Sequence, residues 1–315
     1  LSMSCRNTSF LMDGKLNNNY DLHFLSDFTL SDHLGLEISY DRINQYYHIL
    51  EGLPTGWPLN LAVPILERYP EETAHQFYSG FFSKFKVSDA ECHVCLGGYY
   101  KRMDNIVSYI SSLNMFRNIS NSWEYDCSSG TGRSFGIESS FSWASPRLSA
   151  NASFTWSHSD RTFSEINEGN TYPYKFDRPF IFNTQADYQT FAGQHLLLDL
   201  SYSSGSLMTI GMRQYYGMPL PYWNQSAGYP ESFSNNIYDR VEMSAVNGCR
   251  LPDYFRIDVG YSLEIYKKKV VHTITFTLYN VLNRHNPYLI FNDSGTWKQL
   301  SIMPIVPCIR YSVAF

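Results

Sequence analysis

Polar and apolar residues alternate along most of the chain with a period of two. Leu148, Ala150, Ala152, Phe154 and Trp156 fall on one side of an extended backbone, and Ser149, Asn151, Ser153, Thr155 and Ser157 on the other. Phe255, Ile257, Val259, Tyr261, Leu263 and Ile265 oppose Arg256, Asp258, Gly260, Ser262 and Glu264. The same division sets Ile137, Phe141 and Trp143 against Gly136, Glu138, Ser140 and Ser142. It also sets Leu34, Leu36, Ile38 and Tyr40 against Gly35, Glu37, Ser39 and Asp41. This is the pattern of strands that meet water on one face only, and it predicts about eleven of them. They fall near 17–30, 34–49, 73–86, 90–102, 132–143, 147–160, 178–191, 195–207, 250–266, 270–282 and 298–315. Helical periodicity is nearly absent; Met103 to Ile110 reads as one turn of helix.

The runs reach ten residues or more, longer than the usual five or six of soluble sheets and suited to tilted membrane strands. Short turns are expected at Ser31-Asp32-His33, Val87-Ser88-Asp89, Ser145-Pro146, Ala192-Gly193-Gln194 and Lys267-Lys268-Lys269. Long loops are expected at 50–72, 103–131, 161–177, 208–249 and 283–297. Short and long connections take turns, as in transmembrane barrels with short periplasmic turns and long extracellular loops. At the end of the chain Ile309, Tyr311, Val313 and Phe315 lie on one side of a strand. Outer-membrane barrels end in this way, so Tyr311, Val313 and Phe315 are read as an assembly signal and the barrel-assembly machinery as a partner. The predicted fold class is all-β, an antiparallel transmembrane β-barrel forming one domain over 1–315.

Composition sharpens this reading. Charged residues make up 17% of the chain and aromatic residues another 17%, against roughly 25% charged in an average soluble protein. Mean hydropathy is −0.30, and no segment approaches the roughly 20 apolar residues of a membrane helix. Any span must then be a closed barrel, which alone among sheets satisfies its backbone in lipid. A net charge of −5 argues against nucleic acid as a partner. The opening Leu1-Ser2-Met3 carries no signal peptide, and a C-terminal fragment is expected.

Candidate chemistry is sparse. Cys92-His93-Val94-Cys95 has a metal-like spacing, but in a strand residues i and i+3 face opposite ways. No metal and no cofactor are therefore expected, and the six cysteines are read as small apolar fillers or loop disulfides. His93, His158, His195 and His272 occur singly, and Gly130-Thr131-Gly132 lacks the Gly-Lys-Ser/Thr of a phosphate loop. No enzymatic activity is expected. Lys267-Lys268-Lys269 reads as a solvated turn.

Three stretches near the end resemble a known family. Arg250-Leu251-Pro252-Asp253-Tyr254-Phe255-Arg256-Ile257-Asp258-Val259 opens a late strand. Tyr279-Asn280-Val281-Leu282-Asn283-Arg284-His285-Asn286-Pro287-Tyr288 closes the next, and Pro304-Ile305-Val306-Pro307 enters the last. In order and spacing they resemble the C-terminal barrel of TonB-dependent outer-membrane receptors, including SusC-like importers. Ser134-Phe135-Gly136-Ile137-Glu138, Trp143, Trp156-Ser157 and the stretch Ile38 to Tyr46 fit the same resemblance. It implies a 22-stranded barrel of which this chain supplies about half, a plug domain missing here, and residence in the cell outer membrane. It further implies energised uptake driven by the TonB complex acting through that plug, with outer-membrane lipid around the wall. The SusC-like resemblance allows a surface lipoprotein as an added partner. The substrate class stays open among chelated iron, a vitamin, a glycan and a peptide.

The charged residues of the polar strand face, Glu37, Glu138, Arg256, Asp258 and Glu264, are expected to face the lumen. There they either bond a plug or solvate an aqueous interior. Ligand contacts are expected from loop aromatics, which offer flat faces at little entropic cost: Trp57, Trp123, Tyr172, Tyr174, Tyr222, Trp223 and Tyr229. The same rings are equally suited to packing loops together. Two other functions fit the pattern: a passive porin-like channel, and a soluble secreted carbohydrate-binding β-protein. The latter would account for Asn-x-Ser/Thr sequons such as Asn118-Ile119-Ser120.

Overall fold

The computed structural model describes residues 1–12, 15–50, 61–110, 123–217, 238–267, 270–293 and 296–315. Twelve strands form its main antiparallel sheet, each hydrogen-bonded to the next in the chain. They are β1 (Ser2–Met12), β2 (Lys15–Ser31), β3 (Leu34–Gln45), β4 (Glu72–Val87), β5 (Ala90–Tyr109) and β6 (Cys127–Ala144). The second half adds β7 (Leu148–Phe163), β8 (Phe180–Phe191), β9 (Gln194–Ser203), β10 (Tyr254–Lys267), β11 (Val270–Tyr279) and β12 (Val306–Ala314). Among the described residues β1 and β12 do not pair with each other, so both edges of the sheet are free.

Four expectations are corrected. β1 was not anticipated, because Ser2, Asn7, Thr8 and Ser9 blur its alternation. Its connection to β2 lies at the same end of the sheet as the long loops, so short and long connections do not strictly alternate. Met103 to Ile110 is not helical: β5 continues through it to Tyr109, with a bulge at Asn105, whose φ is +60°. The final expected strand, 298–315, divides. Thr296–Ser301 folds back on Pro287–Asp293 as a hairpin, and only after Met303 (φ +63°) and Pro304 does β12 begin. Proline removes a ladder donor and a left-handed residue turns the chain, so one strand cannot run through this point.

The other long connections also carry structure at that end. Tyr47–Leu50 pairs with Leu61–Pro64, Gly211–Gly217 with Tyr238–Met243, and Leu207–Met208 with Cys249–Arg250. Tyr172–Pro173 adds to β7.

Directly opposed residues of an antiparallel sheet share a face. The register therefore sorts side chains without ambiguity. On one face Leu36 meets Phe81, Phe81 meets Leu96, Ile137 meets Trp156 and Trp156 meets Phe180. Many of these are exposed to a degree unusual for such residues: Phe77 55%, Leu96 52%, Ile309 73%. This is a lipid-facing surface. On β5, β6 and β7 its apolar band covers nine residues each (92 to 100, 135 to 143, 148 to 156), the reach of a membrane strand. Its loop-side margin is a row of aromatics, Tyr40, Phe77, Tyr100, Phe135 and Trp156; Tyr40 and Phe77 have ring centroids 4.7 Å apart.

The opposite face is polar and includes Glu37, Tyr78, Tyr99, Glu138, Ser153, Asn183, Ser201, Asp258 and Thr275. Here two tyrosines lie along the wall instead of standing off it. The Tyr78 ring covers Gly80 and Gly97, and Tyr99 covers Gly136. A Cβ at Gly97 would collide with the Tyr78 phenol. Gly97→Ala is expected to displace that ring and cost about 1 kcal/mol, read as a lower midpoint in urea unfolding of the refolded barrel.

Candidate functional site

The rim, where loops join the polar wall, holds the family-like motifs. Arg250 donates to the Asp177 carboxylate (Nη2 to Oδ2 2.9 Å), to the Asp177 carbonyl (2.6 Å) and to the Gly205 carbonyl (2.7 Å). The Asp177 side chain is 2% exposed and also accepts from the Ser159 amide at 2.8 Å. Asp253 accepts from the Tyr202 hydroxyl (2.8 Å) and the Gly205 amide (3.2 Å). Asn286 closes both backbone bonds of Phe255, at 2.9 Å each. Asn280, fully buried and at φ +50°, donates to the carbonyls of Arg284 (3.0 Å) and Met303 (3.1 Å) and accepts from the Arg284 amide (3.1 Å). These residues tie the connections after β7, β9 and β11 to one another. Their task is to hold the rim in shape.

Below the rim, Arg256 sits between Asp258 (3.1 Å), the Tyr254 hydroxyl (3.2 Å) and the Tyr279 hydroxyl (2.9 Å), over whose ring it also lies. Asp258 in turn accepts the Asn280 amide at 2.8 Å. Both residues are thus committed within the wall. Glu264 bonds Tyr266. Glu37 and Glu138 lie on the same face, opposite Gly80 and Gly97, with no hydrogen-bond partner among the described residues. Between them and Arg256 the wall forms a shallow cavity of about 440 Å³ lined by hydroxyls and amides, including Ser140, Asn151, Asn183, Gln185 and Ser201. Such a surface offers hydrogen bonds, with Asp199 and Arg256 as the charged side chains in its lining.

The loop aromatics divide. Trp57, Tyr222, Trp223 and Tyr229 lie outside the described residues. Tyr172 is 8% exposed, stacked near Phe163 in a cluster with Met103, Ile106 and Ile166, and so serves packing. Trp123 packs on a second cluster of Leu50, Val63, Tyr69 and Cys127. Tyr69 keys that cluster: its hydroxyl donates to the carbonyls of Glu124 (2.8 Å) and Cys127 (2.5 Å). Burial pushes the phenol's pKa up, so it stays a donor. Tyr69→Phe is expected to leave both carbonyls dry and cost about 2 kcal/mol, seen as faster amide exchange at 123–128. Tyr174 is half-buried, with the Arg161 guanidinium 4.1 Å above its ring and Phe176 beside it. Arg161, lying across Gly132, escaped the sequence reading because nothing marks it there.

All six cysteines are free, with Cys92 and Cys95 on opposite faces, and the described residues contain no cluster suited to a metal ion. Tyr311, Val313 and Phe315 fall at the end of β12, where Tyr311 meets Ile274 on the lipid-facing side.

An apolar outer face, a polar inner face and loop hairpins gathered at one end define a section of an outer-membrane β-barrel. Residues 94–281, more than half of the chain, match the TonB dependent receptor-like β-barrel family, and the chain belongs to it. The fold is that of solved receptors. The ferripyoverdine receptor of the outer membrane of Pseudomonas aeruginosa aligns at a TM-score of 0.54 and 10% identity, over 95% of this chain and 33% of the receptor. The ferric yersiniabactin uptake receptor FyuA of Yersinia pestis aligns at 0.54 and 11%, over 99% and 41%. The FrpB iron transporter of Neisseria meningitidis aligns at 0.55 and 11%, over 96% and 40%. This chain spans about a third to two fifths of those proteins. No curated protein matches it.

Proposed function

We propose that this chain forms part of the wall and rim of a TonB-dependent receptor that imports a ferric chelate across the outer membrane. The observation that carries this reading is the division of the sheet, with a polar hydrogen-bonding inner wall beneath a rim of tied loops. A plug bonded to such a wall can slide or unfold at low cost, because each wall hydroxyl exchanges one partner for water. Glu37 and Glu138, unpartnered on that wall, are the residues that would meet the plug; Arg256, Asp258 and Glu264 would brace the wall behind them. TonB would act through the plug, and the barrel-assembly machinery would read Tyr311, Val313 and Phe315. A surface lipoprotein over the rim is compatible with the same arrangement. Chelated iron is favoured over a vitamin, glycan or peptide because the structural relatives are named for iron or ferric ligands. Tyr174 and the stacked Arg161 supply the ring and cation that a flat anionic chelate would meet.

The test is radioiron uptake by source cells offered a panel of ferric chelates, with and without a protonophore. Loss of uptake of one chelate on deletion of the gene, with the same loss on de-energising, supports the reading. Uptake indifferent to the protonophore would instead indicate a passive channel.

A further inference from the structure

On the outer face of β3 to β7, every aromatic of the marginal row is followed, one outward step nearer the loops, by a basic residue. These are Arg42, His75, Arg102, Arg133 and His158. Arg42 opposes His75, whose ring bonds the Tyr40 hydroxyl at 2.9 Å, His75 opposes Arg102, and Arg102 opposes Arg133, so three arginines and a histidine sit side by side on adjacent strands. Directly opposed like charges, as at Arg102 and Arg133, destabilise a sheet unless an anion lies among them. Two carboxylates on this face answer in part. Asp104 accepts from Arg102 at 3.2 Å, and Asp160 accepts from Arg133 at 2.7 Å with His158 3.5 Å away. Asp177, also 3.5 Å from His158, is taken by Arg250. Arg42 has no partner among the described residues. The Arg102 and Arg133 side chains remain 62% and 54% exposed. A sixth such step, Phe180 to Arg178, stands just outside its strand and its guanidinium turns to Ser203.

We propose that this row binds the phosphate groups of a phosphorylated lipid headgroup in the outer leaflet. The inference rests on the outer-membrane reading of the wall. Position argues for a lipid: each of these side chains lies immediately past the apolar band of its own strand, where acyl chains give way to headgroups. Chemistry argues for phosphate: three arginines face two carboxylates, and guanidinium forks match phosphate oxygens in pairs. From β3 to β6 the row spans three strand spacings, about 14 Å, enough for a headgroup carrying more than one phosphate.

The experiment uses the intact receptor purified in detergent, mixed with bisphosphorylated lipid A, with the same lipid dephosphorylated, or with inorganic phosphate. Retained lipid is measured after gel filtration, and folding is checked by the heat-induced mobility shift. Wild type should retain the phosphorylated lipid preferentially. Arg42→Gln should weaken retention roughly fivefold, and the triple change Arg42→Gln, Arg102→Gln, Arg133→Gln roughly a hundredfold. Lysine at the same three positions should restore only part of it, the share due to charge without the paired bonds. Equal retention of both lipids, full competition by inorganic phosphate alone, or an unaltered Arg42→Gln variant would overturn the proposal. A receptor lacking the heat shift and absent from outer-membrane fractions would instead overturn the reading beneath it.

Discussion

Replacing Asp177 with alanine is expected to destabilise the rim by about 3 kcal/mol, the largest effect of any single change at this end of the barrel. The carboxylate is almost fully buried and serves the Arg250 guanidinium and the Ser159 amide together. Its loss strands a cation that is itself only one-third exposed, and leaves the Ser159 amide of β7 without its acceptor as well. Asp177→Asn keeps an acceptor for Ser159 and should lose about half as much, because only the charge-assisted bond is weakened. Hydrogen exchange would read this directly. Protection at 157–163 and 203–207 should fall in Asp177→Ala while the middle of β7 stays protected. Unchanged exchange at the rim would show that the ion pair is not what ties these connections.

Asn280→Ala should be almost as costly, about 3 kcal/mol. Two carbonyls and one amide lose a partner whose own side chain is fully buried, and alanine is a poorer occupant of φ +50° than asparagine. Asn280→Gly separates the two causes. Glycine accepts the left-handed backbone but makes no bond, so it should recover only the backbone part, about 1 kcal/mol. The readout is the temperature at which the folded barrel loses its compact gel mobility. If glycine matched wild type, the hydrogen bonds from Asn280 to Met303 and Arg284 would be irrelevant to the rim.

These two residues mark the boundary of what a single sequence discloses. Strands such as β7 and β10 were legible because their alternation is a local property, repeated every second residue and enforced by lipid on one side. β1 was not, because its lipid-side positions include Asn7 and Ser9, which carry no apolar signal. The motif around Arg250 and Asn280 was visible as a resemblance, yet its purpose was not. Asp177 and Arg250 are 73 residues apart, and nothing in either segment announces the other. The loop aromatics show the same limit. Tyr172 and Tyr174 look alike two residues apart, but one is sealed against Phe163 and the other carries a guanidinium on its face. Only the tertiary arrangement distinguishes a ring sealed in a cluster from a ring stacked by a cation.

The apolar band has a consequence for how the protein should be handled. Nine residues of strand extend about 30 Å along their own axis. Tilted by roughly 40°, they cover only about 23 Å of bilayer. That is thinner than the roughly 30 Å of an average bilayer, and the bacterial outer membrane is itself thinner than average. Reconstitution into long-chain lipid would therefore impose a hydrophobic mismatch, pulling the charged margin into acyl chains. Short-chain lipids, closer to the height of the band, are the medium in which the rim and its loops should keep their native geometry.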